Sequence, residues 1–268
     1  MLILLPPSEG KTAPPAGEPV DPTGLWLPTL GPARRRVLSR VVALCKRSST
    51  RGVAASLRTL GLTAGQQAEV ARNATLLESP AAPAAAVYTG VLYEALDAAT
   101  LAPAAGQWLA ERAVVFSGLW GVVRLTDRIP AYRCSVGVTL PGLGGLTAYW
   151  KKVLTPALDR AAGGGPVLDL RSGAYGAMWA PGERVAARTA ALRVLHERTA
   201  GGVTHRSVVS HFNKATKGRL VRALATGAVR PESVDDLVTA LRDLKYTVEE
   251  RPTGAGRPRQ LDIVVAEL

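Results

Sequence analysis

Apolar and polar residues alternate along the chain with two different periods, which predicts a mixture of helices and strands. The wholly apolar start, Met1–Leu5, predicts a buried strand. In Ala33–Ser48 the apolar residues recur at helical spacing and arginines occupy the other face, which predicts an amphipathic helix. A second helix is predicted near Val53–Leu60, ending at Gly61, and a third is predicted to start at Thr63 and to run through Leu77.

The same reasoning predicts further helices and strands in the rest of the chain. The predicted helices are Tyr88–Leu101, Gly145–Gly165, His211–Gly227 and one capped by Ser233 with Asp236. The predicted strands are Arg112–Phe116, Pro166–Leu170, the hairpin of Ala190–His196 with Val203–Ser210, and the hairpin of Tyr246–Glu250 with Leu261–Val265, whose tip at Arg251–Arg259 is expected to be mobile. Because helices and strands do not alternate regularly, we predict an α+β fold with mixed sheets and surrounding helices, in a single compact domain over residues 1–268.

The residues between the second and third predicted helices allow two interpretations. Gly61 and Leu62 fit the hairpin of a helix-hairpin-helix motif, which offers backbone N–H groups to a DNA phosphate. The second glycine of that motif is replaced by Thr63, and a glycine stop followed by a threonine cap explains the same residues. We prefer the second interpretation.

The strongest compositional signal is charge. The 268 residues carry 33 lysines and arginines against 21 aspartates and glutamates, a formal net charge of +12 at pH 7. Such an excess favours polyanionic partners such as nucleic acid or nucleotides, although heavy use of arginine is also expected of a GC-rich genome. We expect no signal peptide, no membrane-spanning segment and, with only two cysteines, a reducing cytoplasm.

The stretch "PPSEGKT" at Pro6–Thr12 ends like a nucleotide-binding P-loop but does not fit one. The glycine that the motif requires five positions before Gly10 is Leu5, and two prolines remove N–H donors from the loop. Ser8 and Lys11 have the spacing of a serine nucleophile and a lysine base, but the partner motifs of those enzymes are absent. Two interpretations stay open: a polar cluster at the carboxyl end of a strand, where open sheets bind ligands, and a solvated turn.

Several other predicted strand ends and turns also combine hydroxyl groups with cations. If these ends converge, they form a basic pocket that can hold phosphate, with Glu9 placed as a general base near Lys11 and Asp127 orienting an arginine. The candidate catalytic residues are Ser8, Glu9, Lys11, Ser172 and Tyr175. The candidate DNA- or phosphate-binding residues are Lys11, Arg124, Arg133, Lys151, Lys214, Lys217 and Arg219. We predict no metal site and no cofactor, because the three histidines lack metal-ligand spacing, although His196 and His205 are expected to face each other across a hairpin.

The chain resembles the YaaA family of peroxide-stress proteins over nearly its whole length. The resemblance is carried by Met1–Thr12 and by the segments "YTGVLYEAL", "FSGLWGVVRLTDRIPAYRCSVG", "YWKKVL", "VLDLRSGAY" and "VSHFNKATKGRLVRAL", in this order. It implies a cytoplasmic protein that limits free iron and the DNA damage it drives, with a compact α+β "cantaloupe" fold and a basic cleft that binds double-stranded DNA. Enterobacterial members have a shorter "SPAKT"-like start, so Lys11 matches the motif lysine while Glu9 and Gly10 are additional.

Two function hypotheses follow. The first is a DNA-binding stress protein, whose affinity should fall steeply with salt. The second is an enzyme that acts on a nucleotide or another phosphorylated small molecule, because hydroxyls and a carboxylate beside a lysine exceed what contact with a DNA backbone requires. A purely structural role is a third, weaker hypothesis. The sequence indicates no oligomeric state.

Overall fold

The apolar run at the start of the chain forms a strand in the middle of the molecule. Every residue of Leu2–Leu5 is buried. This strand pairs in parallel with Ala113–Ser117 on one side and with Val167–Asp169 on the other. A strand buried on both faces needs a continuous apolar sequence, which this stretch supplies. The computed structural model describes residues 1–200, 203–208, 210–251, 253–254 and 256–266 of the chain.

The strands of the described residues form one large sheet and two small ladders. In chain order they are β1 (Leu2–Leu5), β2 (Ala82–Pro83), β3 (Ala113–Ser117), β4 (Gly121–Arg124), β5 (Arg128–Ile129), β6 (Thr139–Leu140), β7 (Gly144–Gly145), β8 (Val167–Asp169), β9 (Thr189–Ala200), β10 (Val203–Ser207), β11 (Thr247–Arg251) and β12 (Arg259–Ala266). The large sheet has the order β11-β12-β9-β8-β1-β3-β4, and β10 also pairs with β9. Strands β12, β9, β8, β1 and β3 are parallel, whereas β4, β10 and β11 are antiparallel to their neighbours. The sheet is therefore mixed.

Helices pack around this sheet. They are α1 (Gly31–Cys45), α2 (Thr50–Leu60), α3 (Gln67–Ala74), α4 (Ala84–Val87), α5 (Val91–Leu96), α6 (Pro103–Arg112), α7 (Leu146–Ala161), α8 (Glu183–Ala186), α9 (Ser210–Thr226) and α10 (Val234–Asp243). Short 3₁₀ helices span Pro28–Leu30, Ala64–Gln66, Ala98–Thr100 and Gly173–Met178. None of the helices in the described ranges combines the length and the apolar character needed to cross a bilayer. The prediction of a compact α+β domain with a mixed sheet is confirmed.

The connection between α2 and α3 shows the local chemistry of a glycine stop and a cap. Gly61 has a φ of 66°, in the left-handed region that glycine adopts without strain. The Gln66 side chain accepts hydrogen bonds from the backbone N–H and the hydroxyl of Thr63, at 3.0 and 3.2 Å. These bonds close the first turn of the 3₁₀ helix that leads into α3. They account for the residues that also resemble a helix-hairpin-helix motif.

One predicted helix is much shorter in the structure, and one observed helix was not predicted. The predicted helix over Tyr88–Leu101 is reduced to α5 and a 3₁₀ turn, because Asp97 interrupts it with a φ of 44°. Its first residues are extended, since Tyr88 forms an isolated antiparallel bridge with Lys11. Helix α6 was not predicted at all. Its sequence begins with Pro103, which suits a first helical turn, and buries Trp108 against the core.

The two predicted hairpins are confirmed, but their relation to each other was not foreseen. Strands β9 and β10 pair antiparallel, as do β11 and β12. Strands β9 and β12 also pair in parallel over eight residues, which joins the two hairpins into one sheet. Periodicity within a strand carries no information on which strand becomes its neighbour. Residues 201–202, residue 209 of the predicted strand Val203–Ser210, and two positions of the predicted mobile tip, 252 and 255, lie outside the described residues.

Candidate functional site

The carboxyl ends of three neighbouring parallel strands meet at one edge of the sheet. Strand β1 leads into Pro6–Thr12, β3 into the turn at Gly118, and β8 into Arg171 and the 3₁₀ helix after it. A concavity of about 590 Å³ opens beside these ends, and we name it the strand-end pocket. Its lining includes Ser8, Glu9, Lys11, Arg58, Tyr132, Arg133, Cys134, Ser135, Thr139 and Tyr175. The structure therefore brings together five of the residues singled out from the sequence, namely Ser8, Glu9, Lys11, Arg133 and Tyr175.

The loop after β1 is held in place by the Ser8 hydroxyl and by a hydrogen bond from Thr89. The Ser8 hydroxyl donates to the Gly10 carbonyl at 2.6 Å and accepts from the Thr89 N–H at 3.1 Å. The Lys11 ammonium donates to the Ser8 backbone carbonyl at 2.7 Å. The hydroxyl and the amine thus bond to two different carbonyl groups, and the Ser8–Lys11 pair of a serine nucleophile with a lysine base does not form.

Lys11 lies over an aromatic floor. Its Nζ is 4.3 Å from the centroid of the Tyr132 ring, a cation–π contact. Burial, assisted by the positive charge of Arg133, lowers the pKa of Lys11 to about 7. Both protonation states are therefore populated near neutral pH. A lysine of this kind can bind an anion as a cation or accept a proton as an amine.

Buried hydroxyl groups fix the aromatic floor below Lys11. The Tyr132 hydroxyl hydrogen-bonds to the Ser117 hydroxyl at 2.6 Å and to the Tyr88 hydroxyl at 2.9 Å. Ser117 in turn accepts from the backbone N–H of Trp120 at 2.9 Å. Burial raises the pKa of Tyr88 and of Tyr132, so both phenols stay protonated. Their hydrogen bonds orient the ring that Lys11 contacts.

Glu9 pairs with an arginine at the mouth of the pocket. Its carboxylate accepts from Arg133 at 2.8 Å, and 85% of its side chain is exposed. The hydrogen bond from Arg133 lowers the pKa of Glu9, with a further contribution from Lys214. A carboxylate with a lowered pKa is a weak base at neutral pH. This environment does not suit the general-base role predicted for Glu9, and it places exposed Lys214 near the same mouth.

The wall that carries Arg133 is fixed from two sides. The Asn73 side chain on α3 donates to the Arg133 backbone carbonyl at 2.7 Å and accepts from the Arg133 backbone N–H at 2.9 Å. On the other side the turn at Gly118 lies so close that a β-carbon there would collide with the Cys134 carbonyl oxygen. This close approach explains the need for glycine at position 118, the first glycine of "FSGLWG". Neither Asn73, which holds the Arg133 backbone, nor Arg58, which lines the pocket, was identified from the sequence, because no local pattern along the chain indicates these positions.

Two cations near the end of β8, Arg171 and Lys217, form hydrogen bonds within the protein. The Arg171 guanidinium, 8% exposed, forms two hydrogen bonds to the Asp169 carboxylate at 2.9 and 2.7 Å and lies 4.3 Å from the Phe116 ring centroid. Lys217, only 4% exposed, donates to the Leu170 carbonyl at 2.9 Å. Burial lowers the pKa of Lys217 to about 8. The Lys217 ammonium is buried and already has a partner, an environment that does not suit the phosphate contact predicted for it.

Arg124 and Asp127 belong to a different cluster. The Arg124 guanidinium lies 5.1 Å from the Trp26 ring centroid and does not line the strand-end pocket. The Asp127 carboxylate accepts from the backbone N–H groups of Trp26 and Arg124, at 3.0 and 2.9 Å. Asp127 was expected to orient an arginine side chain. It holds two backbone segments together instead.

The remaining predicted site residues lie outside the strand-end pocket. Ser172 is exposed at the start of the Gly173–Met178 turn, and Lys151 is exposed on α7. Arg219 is exposed on α9, and its charge opposes the rise that burial causes in the pKa of Tyr246, which places Arg219 near the start of β11. Lys151 and Arg219 lie on helices, whose successive residues point to different sides, so their sequence positions do not by themselves bring them to Lys11.

Cysteine and histidine offer little chemistry in this site. Cys134 lines the pocket, but burial raises its pKa to about 12 and that of Cys45 to about 11, so both stay as unreactive thiols. His205 lies opposite Arg198 and His196 opposite Ser207, so the two histidines are not the directly facing pair that was expected. Over the described part of the chain, no three side chains of His, Cys, Asp or Glu come together as metal ligands.

Comparisons with known proteins agree over most of the chain. A family model described as "Peroxide stress protein YaaA" matches residues 1–251. A UPF0246 protein of Streptomyces coelicolor is 53% identical over 100% of both chains. A UPF0246 protein of Corynebacterium efficiens is 38% identical over 99% of this chain and 100% of its own, and an uncharacterized protein of Campylobacter jejuni is 26% identical over 86% and 87%. The resemblance noted in the sequence is confirmed, and the chain belongs to the YaaA family of peroxide stress proteins.

Proposed function

We propose that this member of the peroxide-stress family is a cytoplasmic protein that binds double-stranded DNA through the strand-end pocket and its rim, and so protects DNA from peroxide-driven damage. One observation carries the proposal. Cations from three distant segments, Lys11, Arg58 and Arg133, line a single concavity. A site for the phosphates of one DNA strand needs such a group of cations.

The ion pair at the mouth supports an exchangeable anion site. Glu9 is the partner of Arg133, but its side chain is 85% exposed. An exposed pair of this type contributes about 0–1 kcal/mol, so a phosphate can replace the carboxylate at little cost. Glu9 then acts as a weak competitor for the same guanidinium. This role is consistent with its lowered pKa, which keeps it charged at neutral pH.

The size of the pocket limits how DNA can bind. A concavity of about 590 Å³ is in the size range of small-molecule sites and can hold a single nucleotide, whereas a duplex is far wider. The duplex is therefore expected to lie across the mouth and to place the phosphates of one strand toward Arg58 and Arg133. Binding through phosphate contacts depends little on the DNA sequence.

Fluorescence anisotropy with a labelled 20-bp duplex, at salt concentrations between 50 and 200 mM, tests the proposal. Replacing Arg58 or Arg133 by alanine should weaken binding and reduce the slope of log K against log salt by about 1 for each phosphate that the variant no longer neutralises. Glu9→Gln should tighten binding, since it removes the competing carboxylate. Arg47→Ala removes an exposed cation outside the pocket and serves as the control.

The pattern across these variants decides the result. Opposite effects of Glu9→Gln and Arg133→Ala, with Arg47→Ala unchanged, would support binding at the pocket. Equal decreases in affinity for Arg133→Ala and Arg47→Ala would mean that only the overall charge matters. A wild-type protein that does not bind the duplex at 50 mM salt would contradict the proposal.

A second candidate function is an enzyme that acts on a nucleotide or another phosphorylated small molecule in the same pocket. It is favoured by Lys11, whose pKa of about 7 and position over buried hydroxyl groups suit proton transfer. A panel of nucleotides and sugar phosphates should raise the unfolding temperature of the wild-type protein but not of Lys11→Met. Product formation from a compound that stabilises the wild type would establish the activity. A panel without any stabilising compound would contradict this candidate.

A further inference from the structure

A second basic concavity lies between α1 and α7. It has a volume of about 970 Å³, and we name it the helical groove. Its cations are Arg36 and Arg40 on α1 and Lys152 and Arg160 on α7, and all four side chains are exposed. Among the described residues that line the groove, none is acidic. The groove therefore presents positive charge without the neutralising carboxylate that Glu9 supplies in the strand-end pocket.

The spacing of these cations favours a chain of phosphates over a single phosphate. Arg36 and Arg40 are four residues apart, or about 6 Å along α1, and Lys152 and Arg160 are eight residues apart, or about 12 Å along α7. One strand of nucleic acid carries a negative charge for about every 3.4 Å of axis, so the row on α7 spans three to four phosphates. A compact anion could contact only some of these four cations.

The walls between the two rows provide apolar and aromatic surface. Leu30, Val153 and Ala157 line the groove together with Tyr149. The Tyr149 hydroxyl donates to the Ala33 carbonyl at 3.3 Å, and its ring packs edge-to-face on Trp150 with 5.4 Å between centroids. The ring is therefore held in place. A fixed tyrosine between cations is a suitable surface for a sugar or a base of a bound strand.

The helical groove and the strand-end pocket lie on two sides of one small hairpin. Thr139, the first residue of β6, lines the strand-end pocket, whereas Gly142 and Leu143 in the β6–β7 turn line the helical groove. Strand β6 contains only Thr139 and Leu140, so the separation is short. No residue is shared between the two linings.

We propose that the helical groove is a second nucleic-acid site, which binds the sugar–phosphate backbone of one strand. This inference rests on the proposed DNA binding, because it extends the contact between protein and DNA to a second surface. The residues of the two surfaces are different, so each surface can be tested separately. The shared chemistry is a chain of phosphates. The occupant we commit to is nucleic acid, because the groove adds apolar and aromatic surface that inorganic polyphosphate cannot use.

The double variant Arg36→Ala/Arg160→Ala removes one cation from each row. Its charge-matched control is Arg47→Ala/Arg230→Ala, which removes two exposed cations outside both concavities. Binding of a labelled 20-nucleotide single strand and of the 20-bp duplex is measured between 50 and 200 mM salt. The affinity of the wild type for the duplex should fall about tenfold more over this range than that of the groove variant, because two phosphate contacts steepen the slope by about 1.8.

Comparison with the pocket variants separates this inference from the proposed function. If Arg58→Ala and Arg133→Ala weaken binding while the groove variant behaves like its control, the second site is overturned and the proposed function stands. If only the groove variant weakens binding, the second site stands and the strand-end pocket is not the DNA site. If the wild-type protein binds neither the single strand nor the duplex, both the second site and the proposed function are overturned.

Two further measurements keep the test decisive. Thermal unfolding of each variant shows whether the fold is intact, and Lys152→Gln, a change at one exposed lysine, replaces the double variant if that protein does not fold. Unlabelled single strand should displace the labelled strand from the wild type better than inorganic polyphosphate at equal phosphate concentration. The reverse order would show that the groove does not select nucleic acid and would overturn the inference.

Discussion

Lys11 should make the stability of the folded protein increase between pH 7 and pH 9. Burial lowers the pKa of Lys11 from 10.5 to about 7 in the folded state. Below pH 7 the amine is charged in both the folded and the unfolded chain. Between pH 7 and 10.5 the unfolded chain binds a proton that the folded protein has released, so the free energy of unfolding rises with pH.

The magnitude follows from the same two pKa values. One pKa unit corresponds to about 1.36 kcal/mol, and half of the titration is already complete at pH 7, so Lys11 should add about 2 kcal/mol between pH 7 and pH 9. The cation–π contact with Tyr132 and the hydrogen bond to Ser8 favour the ammonium form, which makes this figure an upper value. Lys11→Met removes the titration and keeps the length of the side chain.

Urea unfolding of wild type and Lys11→Met at pH 7 and pH 9 measures this contribution directly. Other groups that titrate in this range, such as Lys217, are common to both proteins and cancel in the comparison. Lys151→Met, a change at an exposed lysine, should preserve the wild-type pH dependence. The same pH dependence in wild type and Lys11→Met would refute the burial of Lys11 and with it the floor of the pocket.

Two other predictions concern the pocket wall. Gly118→Ala should lower the free energy of unfolding by about 1–3 kcal/mol, because the new methyl group collides with the Cys134 carbonyl, whereas Gly164→Ala, where a β-carbon has open space, should change it by less than about 1 kcal/mol. Equal effects in urea titrations would contradict the close contact. Native protein treated with hydrogen peroxide should retain both thiols of Cys45 and Cys134 far longer than urea-unfolded protein, because burial raises their pKa. Equal rates of thiol oxidation would show that at least one cysteine is reactive.

The sequence allowed the individual elements to be predicted because each has a local cause. The apolar run of β1, the stop at Gly61 and the capping box of Ser233 with Asp236 depend on residues only a few positions apart. Helix α6 was missed because its apolar residues, among them Trp108, are too few to give a clear period. The parallel pairing of β9 with β12 joins residues about 70 positions apart, and no local pattern specifies such a contact.

The candidate site was predictable in part for the same reason. The segments that follow the parallel strands, which contain Lys11 and Tyr175, are brought to one edge by the sheet itself. Arg133 reaches that edge through the contact of its backbone with Asn73 on α3, which only the fold establishes. Charge alone did not separate surface cations from buried ones. Lys217 is the clearest example, since it looks like a phosphate contact in the sequence and is a buried hydrogen-bond donor in the structure.

A crystal structure of the protein with a short DNA duplex would test the convergence of cations most directly. The account predicts density for a backbone phosphate within hydrogen-bonding distance of Arg58 and Arg133, with the Glu9 carboxylate displaced from its 2.8 Å contact with Arg133. A bound duplex that leaves the Glu9–Arg133 pair intact and touches neither arginine would contradict the assignment of the strand-end pocket as the anion site.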